Sequence, residues 1–135
     1  MIKKEYLEEF EKNAGIEPEN LNSLKFTIEI PQDYLEFLKE FNGGEGDVGE
    51  EYLVLHKAEE LNEINTDYEI AEFDPKIFII GSNGSGELIA IDTRKNSPIY
   101  ILIPSIFEYD AIIELASDVN GLFKRIFTEG YFGTE

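Results

Sequence analysis

Three apolar runs, at residues 77–80, 88–91 and 99–103, sit close together with only short polar connections between them. Gly81-Ser82-Asn83-Gly84-Ser85-Gly86 precedes the second run, and Lys95-Asn96-Ser97-Pro98 precedes the third. Apolar runs of four or five residues bounded by Gly, Asn, Ser and Pro read as strands. Connections this short join antiparallel neighbours, so a meander is expected at the centre of the fold.

Helical patterns flank that meander. In residues 2–13, Ile2, Tyr6 and Phe10 recur every four residues with Leu7 beside them, and Gly15 follows as a stop. Leu24, Phe26, Ile28 and Ile30 alternate with Lys25, Thr27 and Glu29, the two-residue period of a short strand or extended arm. Pro31 suits the first position of a second helix, whose apolar face is Tyr34, Leu35, Phe37, Leu38 and Phe41. Asn42-Gly43-Gly44 is expected to end that helix, since both residue types tolerate the left-handed cap conformation. An acidic loop over 45–51 and a strand over 52–55 follow.

Residues 57–68 read as a helix with Ala58, Leu61, Ile64 and Tyr68 on one stripe, and 73–75 as a turn. Residues 106–115 are expected to be irregular or to hold short strands. A last helix spans about 118–128, with Ser117 as N-cap, Asp118 at its positive end and Lys124 and Arg125 at its negative end. Together these give an α+β fold: a central, mostly antiparallel sheet with N-terminal helices and a C-terminal helix packed on it.

The 135 residues fit one domain, 1–135, with no Ser/Gly/Pro linker, internal repeat or low-complexity tract. Hydrophobic residues make up 42% of the chain, enough to fill a core without staples. None are needed from disulfides or Cys-bound zinc, because cysteine is absent. The N-terminus leads into charged residues rather than an apolar segment, and no apolar run exceeds five residues. The expectation is a cytoplasmic protein with no membrane span.

Charge narrows the partners. Twenty-nine acids against 11 bases give a net −18. Such a chain repels nucleic acid and anionic membranes, whose binding rests on Lys and Arg, and attracts basic proteins. The charge is also one-sided. Residues 1–75 carry 21 acids and 6 bases, a net −15; residues 76–135 carry 8 and 5, a net −3.

Catalytic readings find little support. Gly81, Gly84 and Gly86 are spaced G-x-x-G-x-G and followed by a strand, whereas a dinucleotide loop needs G-x-G-x-x-G before a helix. A glycine hairpin explains them. The lone His56 has no nucleophile beside it in the chain and reads as structural or solvent-facing. Residues 45–51 alternate oxygen-bearing side chains but lack the twelve-residue pattern and closing glutamate of a calcium loop. With 29 acids, no carboxylate pair stands out as a glycosidase pair. No cofactor, metal or catalytic residue is expected.

The order of several short motifs carries a family resemblance. Ile30-Pro31-Gln32-Asp33-Tyr34-Leu35-Glu36-Phe37-Leu38 and Asn42-Gly43-Gly44 come first. Ile80-Gly81 with Gly84, Gly86-Glu87 and Ile91-Asp92 come next, then Leu115-Ala116-Ser117 before Leu122-Phe123. In that order, over about residues 28–128, they resemble the SUKH superfamily, the Smi/Knr-type domain. The resemblance implies an α+β domain without catalytic residues. Many bacterial members are immunity proteins that bind and neutralise a secreted or contact-delivered toxin, often a nuclease. Eukaryotic relatives include a cell-wall synthesis regulator, so a regulatory or protein-interaction domain without a toxin partner is the alternative.

Charge and resemblance converge on an antitoxin with an acidic surface, because a nuclease needs a basic cleft to hold phosphates. The expected partner-binding residues are Glu45, Asp47, Glu50, Glu51, Glu59, Glu60, Glu63 and Asp67. Tyr52 or Tyr68 could add an aromatic anchor, although core packing is the first expectation for both.

Overall fold

The meander expected over residues 77–103 is the centre of a larger one. A computed structural model, describing residues 2–133, shows seven strands in strict sequence order, each antiparallel to the next. They are β1 (Phe10–Ala14), β2 (Phe41–Val48), β3 (Glu51–Leu55), β4 (Ile77–Ser82), β5 (Glu87–Asp92), β6 (Ile99–Pro104) and β7 (Ile113–Ala116). The helices are α1 (Lys4–Leu7), α2 (Pro18–Asn22), α3 (Gln32–Glu40), α4 (Leu61–Tyr68), α5 (Ile70–Phe73) and α6 (Val119–Glu129). The α+β architecture is the expected one.

Strands β4 to β6 are apolar through their middles because both of their faces are covered. Phe78, Ile80, Ile89, Ile91, Tyr100 and Leu102 point into the main core with α3 and α6. Their neighbours Ile77, Ile79, Leu88, Ala90, Ile101 and Ile103 form a second core, with Ile70 of α5. Each such side chain, fully buried, stabilises the fold by about 1.5–3 kcal/mol. Strands β1 to β3 differ. Phe10, Leu53 and Leu55 face the main core, but on the opposite face Glu11, Glu45, Asp47 and Tyr52 are exposed.

Several local expectations are corrected. The helix over 2–13 is only α1, and Phe10 begins a strand. Its ring meets Phe123 edge-on at 5.3 Å, and its backbone pairs with Gly46. Of the two expectations for residues 24–30, a strand is absent and an irregular arm without strand pairing is found. Their alternation is real, since Leu24, Phe26 and Ile28 pack on the core, but no strand lies beside them. A short helix, α2, precedes them. Pro31 lies at the N-cap of α3 rather than inside it.

Asn42-Gly43-Gly44 does not cap α3, and 45–48 is not a loop; both belong to β2. Asn42 is buried and serves the next helical segment. Its Oδ1 accepts from the Ala58 N–H at 2.8 Å and its Nδ2 donates to Glu59 at 2.8 Å. Gly43 has φ +79°, and a Cβ there would press on the Leu55 and His56 carbonyls of the adjacent chain. Only Gly49-Glu50 forms the turn between β2 and β3. Tyr68 leaves the apolar stripe of α4 and is exposed. Tyr52 is also exposed rather than packed in the core. The N-cap of α6 is Asp118, not Ser117: its carboxylate accepts from Gly121 N–H at 2.6 Å. Asp33 of α3 accepts from Val119 N–H at 2.7 Å and so ties the two helices together.

Besides the apolar packing of the second core, one buried polar side chain ties α4 to the sheet. β3 and β4 pair only at Val54–Ser82 and Leu55–Gly81, which leaves the Ile79 backbone without a strand on that side. Asn65 of α4 supplies the missing partners. Its Oδ1 accepts from Ile79 N–H at 2.7 Å, and its Nδ2 donates to the Ile79 carbonyl at 2.9 Å.

Candidate functional site

The exposed face of β1–β3 is where the acids gather. Register sets this. Glu11 lies directly opposite Glu45, Glu45 opposite Val54, and Asp47 opposite Tyr52, so all five share the face away from the main core. Their chain neighbours Phe10, Leu53 and Leu55 are buried on the other side. The result is an open groove of about 600 Å³. Five carboxylates line it: Glu9, Glu11, Glu45, Asp47 and Glu60. Lys57 is the single Lys or Arg side chain among its lining residues.

This arrangement costs stability. Like charges directly opposite one another on neighbouring strands repel, as Glu11 and Glu45 do. The groove's uncharged groups respond to the field. The Tyr52 hydroxyl donates to the Glu45 carboxylate. That bond raises the Tyr52 pKa first, with desolvation and the charges of Glu45, Asp47 and Glu11 adding to it. His56 is pushed below its ordinary pKa by desolvation, against the opposing pull of Glu60 and Glu45. Its imidazole is therefore neutral at pH 7. The groove presents anionic and acceptor groups, which suits ammonium and guanidinium groups of a partner.

The eight acids singled out from sequence do not form one site. Glu45, Asp47 and Glu60 line the groove. Glu50 is exposed in the β2–β3 turn. Glu51 is half-buried and accepts from the Tyr131 N–H at 3.3 Å, where it fastens the chain after α6. Glu59 is bound to the Asn42 amide. That bond, with its own backbone N–H, holds its carboxyl below the usual carboxylate range. Glu63 and Asp67 are exposed on α4 and lie outside the groove lining. Glu9 and Glu11 were missing from the sequence-based set because their segment reads as helix. The signal that could have found them is the flanking of Phe10 by two acids at a two-residue period.

Among the described residues, no group of three or more His, Asp or Glu side chains is placed to hold a metal ion. No described helix is long and apolar enough to cross a membrane.

The motifs that carried the family resemblance are the residues that build this architecture. Tyr34, Phe37 and Leu38 fill the main core, Asn42 caps the next helical segment, and Gly81 admits the β3 backbone beside β4. No curated protein matches the chain. The family model described as SMI1 / KNR4 family (SUKH-1) matches residues 1–125. Its match covers nearly the whole sequence, and the chain belongs to the SMI1/KNR4 family, SUKH-1.

Proposed function

We propose that this chain is an immunity protein. It binds a cognate bacterial toxin with a basic surface, a nuclease, and neutralises it in the cytoplasm without catalysing a reaction. The observation that carries the reading is the acidic groove. Five carboxylates and a single Lys line one groove over the exposed face of β1–β3, and two of the carboxylates stand directly opposed at a cost to stability. Acids kept against local stability point to recognition. A nuclease holds phosphates with cations, and carboxylates on a rigid sheet can occupy the same cations. Family membership supports a protein-binding role of this kind.

The experiment uses the product of the reading frame immediately upstream. The purified chain should suppress that protein's nuclease activity at one-to-one stoichiometry and restore growth of cells that express it. A neighbour with no toxic activity, or full activity at excess chain, overturns the proposal.

A further inference from the structure

The second core has an unfinished outer surface. Among the described residues five large apolar side chains are exposed; two of them, Tyr68 and Tyr109, end one row of rings, and a third, Ile106, precedes Phe107 of that row in the chain. Ile106 is 81% exposed, Tyr109 48% and Tyr68 43%. The rings run in a continuous row. Tyr68 meets Phe107 at 6.5 Å, Phe107 meets Phe73 at 5.3 Å, and Phe73 meets Tyr109 at 4.4 Å between centroids. The row spans α4, α5 and the segment after β6.

The ridge is already fixed in place. The Tyr109 hydroxyl donates to Asp74 at 2.8 Å. The Arg94 guanidinium lies over the Tyr109 ring at 5.1 Å and is itself held by Asp92, with Nη2 2.8 Å from Oδ2. Aromatic groups held this way lose little further freedom on binding.

The chain neighbours of Tyr68, Phe73 and Tyr109 are acidic and exposed or half-buried. Asp67 and Glu69 flank Tyr68 in the chain, Glu72 and Asp74 flank Phe73, and Glu108 and Asp110 flank Tyr109. Arg94, the cation against the ridge, is neutralised by Asp92. An apolar centre with a charged rim is the anatomy of a protein interface. A second copy of the chain would bring a like-charged rim and a net charge of −18 to this one, so self-association is opposed.

We infer that the Tyr68–Phe107–Phe73–Tyr109 ridge, with Ile106, is the apolar anchor for a basic protein partner. The partner sets an apolar side chain on the rings and its Lys and Arg groups on the surrounding carboxylates. This rests on the reading that the chain binds a basic protein. It adds that affinity comes from the ridge, whereas charge alone would place the partner in the β1–β3 groove.

The test is photo-crosslinking of the full chain in cells that express it from its own locus. The probe is p-benzoylphenylalanine at position 106, at position 11 in the groove, or at position 20 on α2 as control. The expected result is a crosslink from position 106, and none from position 20, to a basic protein identified by mass spectrometry. That protein, purified, should bind the Tyr68→Ser/Ile106→Ser double variant at least tenfold more weakly than the unaltered chain. Both changes are at exposed positions, and an unchanged thermal midpoint checks that the variant is folded. A crosslink from position 11 alone, or undiminished affinity of the double variant, overturns the ridge and leaves the immunity reading standing. A crosslink to a second copy of the chain, or to an acidic protein, also overturns the ridge. No crosslink from any position overturns the ridge and the immunity reading together.

Discussion

Two buried polar side chains show how differently single residues act in this fold. Asn65 satisfies both the N–H and the carbonyl of Ile79, where no strand can. Asn65→Leu keeps the branching of the side chain and improves helix propensity, yet strands two buried backbone groups. Each such group costs about 1–3 kcal/mol. The variant should therefore lose about 3 kcal/mol, read as a lower urea midpoint at unchanged slope; an unchanged midpoint would refute the role given to Asn65. Tyr34 is the opposite case. Its ring stacks on Phe37 at 5.5 Å, but its buried hydroxyl has no hydrogen-bond partner among the described residues. Burial, then the Asp33 charge, pushes its pKa up, so the phenol stays neutral and unpaired. Tyr34→Phe removes only that hydroxyl. It should leave stability equal or raise it by about 1 kcal/mol. A loss of stability in chemical denaturation would show that the hydroxyl is satisfied after all.

The elements that could be read from sequence are those whose environment matches their own composition. β4, β5 and β6 are apolar on both faces and buried on both faces, so their residues announce them. α6 has an acid at its start and a regular apolar stripe of Val119, Leu122, Phe123 and Ile126. β2 is the reverse. Phe41-Asn42-Gly43-Gly44-Glu45-Gly46-Asp47-Val48 holds three glycines and two acids, and nothing local favours a strand. It is extended because β1 and β3 close on it from both sides. A Cβ on Gly44 would overlap the Glu11 carbonyl oxygen and press on the Phe10 ring. β1 is hidden in turn, since Ile2, Tyr6 and Phe10 have helical spacing, while the strand partners of Phe10–Ala14 lie from Phe41 to Gly46, far along the chain. The candidate groove inherits both blind spots. Glu45 and Asp47 are legible as acids, but their glycine-rich surroundings read as a loop. Glu9 and Glu11 emerge only once β1 is paired with β2. Glu51 and Glu59 read from sequence as acids alone, and the folded chain gives them internal partners, the Tyr131 N–H and the Asn42 amide.

At the scale of the whole molecule, the charge asymmetry acquires a physical address. The net −15 of residues 1–75 is partly the acids of the β1–β3 groove and partly those around Tyr68 and Phe73. Charges fixed on rigid elements steer an oppositely charged partner. Steered association reaches about 10⁸–10⁹ M⁻¹s⁻¹ at low salt, against about 10⁵–10⁶ without steering, and it falls as salt screens the field. The variant Glu11→Lys/Glu45→Lys/Asp47→Lys/Glu60→Lys reverses the groove. The most direct measurement is stopped-flow association of the unaltered chain and this variant with the product of the upstream reading frame proposed as its toxin, at low and at physiological salt. The account predicts fast, salt-sensitive association for the unaltered chain and a variant slower by at least about tenfold at low salt, with the difference shrinking as salt rises. Equal rates at both salt concentrations would contradict it and reduce the acids to a means of keeping the protein in solution.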